Sequence, residues 1–199
     1  MTMKIGAVLL AAGRGERFGS NKLLVPFCGR PMICRALDHM QALPLDRRCV
    51  ITGSDEVEAL ANAYGYDVIR NAAQELGQSH SIVLGVSAMR DMDAVLLMVA
   101  DQPCLSLASL ASLLDAFSAS DKGMACLQDG THRGNPAVFS AKYIPALLAL
   151  TGDRGAKGIL RAHEDDLLIV DCLREGELGD ADTPQALEIL TEKYERSMS

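Results

Sequence analysis

The sequence has few aromatic residues and no Trp: Phe and Tyr together make up 4% of its 199 residues. Aromatic platforms on which single-stranded nucleic acid stacks are therefore not expected. Basic residues are also in the minority, since 19 Lys and Arg stand against 26 Asp and Glu, which gives a formal charge of −7. A protein that binds a phosphate backbone needs the opposite balance, so the composition argues against a nucleic-acid partner.

The six cysteines form no C-x-x-C pair and no zinc-binding spacing. They lie in apolar or helix-like runs, so we expect buried free thiols in a reducing compartment. No stretch approaches the roughly 20 apolar residues of a membrane helix. The apolar run near the start is only about eight residues long and ends in a Gly/Arg loop, which does not suit a signal peptide. The sequence predicts a soluble, cytoplasmic protein with no membrane partner.

Short apolar runs alternate with segments of helical periodicity. Strands are predicted at 4–11, 49–52, 66–69, 94–100, 123–127, 137–139 and 167–170, and helices at 31–42, 55–64, 79–89, 107–117, 143–150, 156–163 and 184–194. This alternation indicates an α/β protein, a three-layer αβα sandwich with a mainly parallel sheet. The absence of linkers predicts a single domain over residues 1–199, with a loose tail after Tyr194.

Ligands of such sheets bind beyond the carboxyl ends of the strands. The loop after the first strand, LLAAGRGERFGSNKLL at 9–24, carries three glycines and three basic residues: Gly13, Arg14, Gly15, Arg17, Gly19 and Lys22. Backbone N–H groups in a Gly-rich loop can form an anion nest, and Arg and Lys add charge for a polyphosphate. The spacing G-x-G-x-x-x-G is one residue too long for a dinucleotide fingerprint and does not fit a Walker loop. A plain turn with solvated basic residues is the remaining alternative.

Carboxylates mark two other loops. Asp101 ends the most apolar strand, and Asp180 and Asp182 precede a helix that begins with Pro184. A carboxylate at the end of a buried strand is costly unless it is paired or metal-bound. Asp101 and Asp182 together suit a hard divalent ion such as Mg²⁺. Asp182 could equally be a helix N-cap, and Asp180 is expected to be solvated or to lie outside the ligand shell.

Five motifs in order resemble one family: LAAG-x-G-x-R-F-G-x-x-K-L, ADQP, GNP at 134–136, GDRGA at 152–156 and D-x-D-T-P at 180–184. From about residue 5 to 190 the chain is similar to the MobA-like nucleotidyltransferases, and within them to the molybdenum cofactor cytidylyltransferases. The resemblance implies a Rossmann-like fold of the nucleotide-diphospho-sugar transferase type. It also implies a Mg²⁺-dependent transfer of a nucleoside monophosphate to an acceptor phosphate, with release of pyrophosphate.

The resemblance further implies roles for individual residues. Leu10, Ala11, Ala12 and Gly13 would line the base and ribose, with Arg14 beside them. Gly15, Arg17 and Lys22 would hold the triphosphate, and Asp101 and Asp182 the metal, so that Arg17, Lys22 and Asp101 are the candidate catalytic residues. The segment GQSHSI adds Gly77, Ser79 and Ser81 to the nucleotide site, although the serines could serve only as helix caps.

The loops HRGNP and GDRGAK are similar to acceptor-side loops of the family, although a β-turn and a helix start with solvated basic groups are an equal alternative. The candidate acceptor-binding residues are Arg133, Gly134, Asn135, Pro136 and Arg154, with Lys157 next to them. The expected acceptor is molybdopterin or its metal-loaded form, and a molybdoenzyme or its chaperone is a possible partner. Other phosphorylated acceptors, such as a sugar phosphate or methylerythritol phosphate, stay open.

CTP is the expected nucleotide, because family members that use GTP tend to have LAGG where this chain has LAAG. The methyl group of Ala12 would occupy room that a purine needs. Two readings from other functional classes remain: a non-catalytic chaperone that binds the cofactor, and a nicotinamide-dependent oxidoreductase. The intact acidic and basic residues argue against the first. The loop spacing, and the lack of an acid at the end of strand two, argue against the second.

Overall fold

A computed structural model of the chain describes residues 3–13 and 21–198. The strands are β1 (Ile5–Leu10), β2 (Pro26–Phe27), β3 (Arg30–Pro31), β4 (Arg47–Thr52), β5 (Asp67–Arg70), β6 (Ala94–Val99), β7 (Met124–Asp129), β8 (His132–Ser140) and β9 (Leu167–Asp171). The helices are α1 (Ile33–Ala42), α2 (Asp55–Ala63), α3 (Gln78–Ser87), α4 (Leu107–Ala119), α5 (Ile144–Leu148), α6 (Lys157–Ala162) and α7 (Pro184–Met198).

Seven strands form one sheet in the order β5-β4-β1-β6-β8-β7-β9, and β2 pairs with β3 in a separate hairpin. Strand β8 runs antiparallel to both of its neighbours, β6 and β7, whereas the other pairings of the sheet are parallel. The mainly parallel αβα architecture predicted from the sequence is therefore confirmed. No helix in the described part of the chain is both long and apolar enough to cross a membrane.

The central strands β1 and β6 are apolar on both faces because each face is covered by helices. Along β1, Ala7 and Leu9 pack into one hydrophobic cluster and Val8 and Leu10 into the other. The first cluster includes residues of α1, α2, α4 and α7, and the second includes residues of α3, α5 and α6. The sheet is thus the middle of three layers, and its carboxyl edge carries the loops that follow β1 and β6.

The HRGNP segment is not the predicted turn but the first half of β8. The chain reverses instead at Gly130, whose φ of 58° lies in the left-handed region. The β7–β8 register shifts after Cys126, which pairs with Ala137, so that Leu127 pairs with Gly134. This bulge leaves Asn135 and Pro136 without a partner in β7, and proline is tolerated there because it has no N–H to donate.

Several element ends also differ from the predictions. Helix α1 begins at Ile33 rather than Pro31, because Pro31 pairs with Pro26 in the β2–β3 hairpin. Helix α2 begins at Asp55 as predicted and ends at Ala63 instead of residue 64, with the side chain of Ser54 as its N-cap. The last helix continues to Met198, beyond the predicted end at Tyr194.

Cysteine burial follows the prediction only in part. Cys34, Cys49, Cys104 and Cys126 are buried free thiols, whereas Cys172 is half-buried and Cys28 is exposed. Cys28 lies in the two-residue turn of the β2–β3 hairpin, with a φ of 48°. Such hairpin turns require positive φ and project their side chains away from the core.

Candidate functional site

Two adjoining cavities of about 240 Å³ each open at the carboxyl edge of the sheet. The β1 cavity is lined by Leu10, Ala12, Gly13, Asn71, Gln74, Gly77, Gln78, Ser81, Val99 and Asp101. The β8 cavity is lined by residues 132–135 of β8, residues 155–157 and 160 around α6, and Gln78, Val99, Asp101, Gln102, Asp180 and Asp182. Both cavities lie where the fold predicts a ligand, beyond the ends of β1 and β6.

Lys22 joins the two acidic loops. Its Nζ donates to Oδ2 of Asp101 at 2.7 Å and to Oδ1 of Asp182 at 3.0 Å. Lys22 begins a short 3-10 turn that is capped by the side chain of Asn21 and anchored by the buried Leu23. Partial burial opposes the charged ammonium, but the charges and hydrogen bonds of the two carboxylates outweigh it and raise the pKa of Lys22. The lysine therefore stays protonated between the two aspartates.

A main-chain contact fixes the separation of these loops. The N–H of Ala181 donates to the carbonyl oxygen of Asp101 at 2.9 Å. Because one nitrogen atom reaches both Asp101 and Asp182, a single cation can also contact both carboxylates. Among the described residues, no group of three or more His, Cys, Asp or Glu is arranged for a metal. The donor set thus fits Mg²⁺, which takes one or two carboxylates and fills its remaining positions with water and substrate phosphates.

Asp180 is an exposed residue beside this centre, on the wall of the β8 cavity. Its Oδ1 accepts a hydrogen bond of 3.0 Å from Nε2 of Gln102, the residue after Asp101. Desolvation, and next the charge of Asp101, raise the pKa of the Asp180 carboxyl. The acidic wall of the β8 cavity therefore has three carboxylates, and a cationic group or metal is needed to offset their repulsion of an anionic substrate.

A buried acid holds the segment that carries Asp180 and Asp182. Glu177 is 2% exposed, and its carboxylate accepts hydrogen bonds from the backbone N–H and the hydroxyl of Ser106. Ser106 is the N-cap of α4, where a negative charge also interacts favourably with the helix dipole. Asp129 adds a second tie by accepting from the N–H groups of Gly176 and Leu178.

The structure places five of the ten predicted nucleotide-binding residues around the β1 cavity: Leu10, Ala12, Gly13, Gly77 and Ser81. Ala11 is buried beside them, and its N–H donates to the carbonyl of Ile51. Ser79 is also buried but lies outside the cavity wall, with its N–H donating to Gly152. Arg14, Gly15 and Arg17, together with Gly19, fall outside the described residues.

On the acceptor side, Arg133, Gly134 and Asn135 line the β8 cavity. Arg133 also forms an ion pair with Glu164. Pro136 is buried behind the wall, after a cis peptide bond, and Arg154 is exposed outside the cavity. Gly155 and Lys157 of the same GDRGAK segment do line it, so this segment contributes through its second half.

Five polar residues that complete the walls were not predicted as site residues from the sequence: Asn71, Gln74, Gln78, Gln102 and His132. Asn71 is 1% exposed and donates from Nδ2 to the hydroxyl of Ser81 at 2.9 Å, which fixes that serine at the cavity edge. A detectable signal did exist, since NAAQELGQ is a polar stretch directly after a predicted strand, the position at which α/β proteins place ligands.

Residues 7–167 match the family model of the MobA-like NTP transferase domain. The chain belongs to this family. The matched segment contains most of β1, together with Lys22, Asp101 and the cavity walls formed by α3 and β8. Asp180 and Asp182 lie beyond its end, in the segment that packs against Asp101.

Curated relatives show that members of the MobA-like family carry different names. Over 197 residues the chain is 29% identical to nicotine blue oxidoreductase of Paenarthrobacter nicotinovorans, covering 92% of this chain and 94% of that protein. Over the same length it is 28% identical to the purine catabolism protein PucB of Bacillus subtilis, with the same coverage. It is 30% identical over 156 residues to a probable molybdenum cofactor guanylyltransferase of Pyrococcus horikoshii, covering 78% of each chain.

Solved structures share the fold over nearly the whole chain. A nucleotidyl transferase from Methanothermobacter thermautotroptrophicus superposes with a TM-score of 0.83 at 24% identity, covering 99% of this chain and 100% of that one. A Mycobacterium tuberculosis protein solved in complex with manganese gives a TM-score of 0.77 at 23% identity, covering 96% and 100%. The protein is therefore a MobA-like nucleotidyltransferase with the nucleotide-diphospho-sugar transferase fold.

Proposed function

We propose that this MobA-like protein transfers CMP from CTP to the phosphate of an acceptor, molybdopterin or its metal-loaded form, and releases pyrophosphate. The observation that carries the proposal is the bridge from Lys22 to Asp101 and Asp182 at the junction of two cavities. A transferase for two phosphorylated substrates needs neighbouring pockets with a cationic centre between their reacting groups.

The β1 cavity is assigned to the nucleotide. It adjoins the Gly-rich loop, and its wall combines the backbone of Ala12 and Gly13 with the amides of Asn71 and Gln74. Neutral hydrogen-bonding groups of this kind suit a base and a ribose. The methyl group of Ala12 narrows the cavity, whereas a glycine at this position would leave room for a purine base. This difference supports CTP over GTP. The guanylyltransferase named among the relatives makes GTP the rival nucleotide.

The two aspartates are assigned to Mg²⁺. Asp101 and Asp182 would hold the ion, and when bound it supplies positive charge that offsets the charge of the α-phosphate and of the incoming acceptor. Lys22 occupies the space between these carboxylates in the structure, and its flexible side chain can turn to the β- and γ-phosphates. Together with Arg17, which lies outside the described residues, Lys22 would stabilise the departing pyrophosphate.

The acceptor phosphate needs no general base. Its second pKa is about 6, so near neutral pH it is already mostly a dianion. One of its oxygens forms a bond to the α-phosphorus, the bond from that phosphorus to the bridging oxygen breaks, and pyrophosphate leaves with the electron pair. Catalysis then depends on holding the two phosphates in line and on stabilising charge.

The β8 cavity is assigned to the acceptor. Arg133 of β8 and Lys157 of α6 supply cationic groups to its lining, and Asn135 adds an amide. The carboxylates of Asp180 and Asp182 line the same cavity and suit N–H or O–H donors of the acceptor. A pterin carries several such donors, as do the hydroxyl groups of a sugar phosphate or of methylerythritol phosphate. Molybdopterin is therefore favoured by the relative named as a probable molybdenum cofactor guanylyltransferase and not by this lining.

The test is a matrix of four nucleoside triphosphates against molybdopterin, its metal-loaded form, methylerythritol phosphate and a sugar phosphate, read by product mass with Mg²⁺. We expect a cytidylylated pterin product and equimolar pyrophosphate. A product carrying another nucleotide or another acceptor would overturn that part of the proposal. Thermal shifts with CTP, GTP, ATP and NAD, with and without Mg²⁺, separate a transferase from a non-catalytic cofactor-binding protein and from a nicotinamide-dependent oxidoreductase.

A further inference from the structure

Three described residues line both cavities: Gln78, Val99 and Asp101. In a direct transfer the acceptor phosphate and the α-phosphate must approach within bonding distance. Residues shared by both walls are therefore the ones that can contact both reacting groups. Val99 has no polar side-chain atom, and Asp101 already contacts Lys22 and belongs to the proposed metal site.

Gln78 is the shared residue that can donate to phosphate without adding charge. Its carboxamide nitrogen carries two N–H groups, which can serve two different oxygen atoms. Among the residues that the structure describes, none is hydrogen bonded to this carboxamide. The side chain is exposed, so a ligand can reach it without displacing protein.

Two glycines place Gln78 at the junction. Gly77, with a φ of 84°, precedes α3, and a Cβ there would lie 2.6 Å from the carbonyl oxygen of Gly152. On the opposite loop, a Cβ at Gly155 would lie 2.6 Å from Oε1 of Gln78. The segment before α3 and the segment before α6 thus interlock, and the absence of a side chain at Gly155 leaves room for the carboxamide.

We propose that Gln78 is a substrate-positioning residue that contacts both substrates, donating one N–H to the donor nucleotide's phosphates and the other to the acceptor phosphate. The inference rests on the proposed function, which assigns one cavity to each substrate. It adds a role that depends on the junction rather than on either cavity. Loss of Gln78 must then weaken the binding of both substrates, whereas loss of a residue that lines one cavity weakens the binding of one substrate only.

The experiment compares Gln78→Ala with Gln74→Ala, because Gln74 lines only the β1 cavity. For Gln78→Ala we expect KM to rise about tenfold for CTP and for molybdopterin, since a hydrogen bond to a charged group contributes at least that much. For Gln74→Ala we expect KM to rise for CTP and to stay unchanged for molybdopterin. Gln78→Glu should raise both KM values more than Gln78→Ala does, because a carboxylate cannot donate a hydrogen bond and repels phosphate.

Gly155→Ala tests the position of the carboxamide without changing its chemistry. The added methyl group displaces the flexible end of Gln78, so this variant should reproduce at least half of the rise in KM for CTP, on a logarithmic scale, seen for Gln78→Ala. The CTP value decides, because Gly155 itself lines the β8 cavity and a methyl group there also narrows the acceptor site. Gly158→Ala is the matched control, because a Cβ there meets no heavy atom within 4 Å. Unchanged melting temperatures would establish that the variants are folded.

Two results would overturn the inference while leaving the proposed function intact: a normal molybdopterin KM in Gln78→Ala, or equal behaviour of Gln78→Ala and Gln74→Ala. If the wild-type protein shows no transfer with any nucleotide and acceptor, the proposed function fails and the inference fails with it. Binding of CTP and of molybdopterin, each measured separately by calorimetry on Gln78→Ala, gives a second readout independent of turnover.

Discussion

Lys22 and Asp101 are 79 positions apart in the sequence, yet Nζ of the lysine lies 2.7 Å from Oδ2 of the aspartate. The same ammonium also reaches Asp182, so the Gly-rich loop, the end of β6 and the segment before α7 meet at one atom. This contact supplies a positive charge at the position where two carboxylates would otherwise repel each other. It is the physical basis of the first two predictions.

Asp101→Ala should abolish nucleotidyl transfer while leaving the protein folded. Removal of a charge-stabilising group at a reacting centre typically costs 10²-fold or more in rate. The measurement is pyrophosphate release under saturating CTP and Mg²⁺, with the melting temperature as a folding check. Asp115→Asn, an exposed carboxylate on α4, is the matched control. A residual rate above about a tenth of wild type would exclude Asp101 from the metal site.

Lys22→Ala should bind Mn²⁺ more tightly than wild type when no nucleotide is present. The ammonium competes with a metal ion for the same two carboxylates, and its removal leaves their charge uncompensated; we expect roughly fivefold or greater tightening. The same variant should bind CTP more weakly, because it lacks a phosphate contact. Electron paramagnetic resonance of free Mn²⁺ measures the first effect, with Lys4→Ala as control. Equal Mn²⁺ affinity in Lys22→Ala and wild type would contradict the assignment.

Ala12→Gly should broaden nucleotide choice. Removing the methyl group from its wall enlarges the β1 cavity, so we expect kcat/KM for GTP to rise relative to that for CTP. The size of the effect should resemble that of one methyl group in a specificity pocket, about 10-fold or somewhat more. Competition between the two nucleotides in one reaction, read by product mass, measures the ratio directly. Wild-type preference for GTP would refute the steric argument.

His39 should make the fold sensitive to mild acid. The side chain is 6% exposed, and burial, followed by the charge of Arg35, lowers its pKa to about 4. The unfolded chain binds a proton near pH 6.5, so it gains stability relative to the folded chain as the pH falls from there towards 4. His39 should therefore lower the free energy of unfolding by roughly 2–3 kcal/mol at pH 4.5, and its effect should be close to zero at pH 7.

Urea unfolding of wild type and His39→Leu at both pH values tests this prediction. The difference in unfolding free energy between the two proteins should shift in favour of the variant at pH 4.5. Comparing the two proteins removes the contributions of carboxylates that titrate in the same range. A pH-independent difference would show that His39 does not titrate as described.

Strands buried on both faces could be predicted from the sequence because a short, continuous apolar run is compatible with few other structures. β1 and β6 were found in this way, within one residue at each end. β8 was not, because its first half reads as a turn: His132 and Arg133 are polar, and Pro136 normally excludes a strand. The bulge opposite Cys126 that accommodates this proline depends on β7, which no local pattern reveals.

The candidate site divides in the same way. Lys22 and Asp101 were predictable because each follows a recognisable element at the edge where ligands bind. The part played by Gln78 was not, since a single amide at a helix start has no signature until the opposing loop at Gly155 is in place. Glu177 was missed for a similar reason: its burial follows from its pairing with Ser106, a contact across 71 positions.

The order of the cavities along the chain also has a consequence for divergence. All of the β1 cavity comes from residues 10–101, whereas most of the β8 cavity comes from residues after 101. Changes confined to residues 102–160 can therefore remodel the proposed acceptor cavity, while the β1 cavity and Asp182 stay as they are. A gene of this type can explore new acceptors by altering one contiguous stretch that lies between Asp101 and Asp182, the two carboxylates proposed to hold the metal.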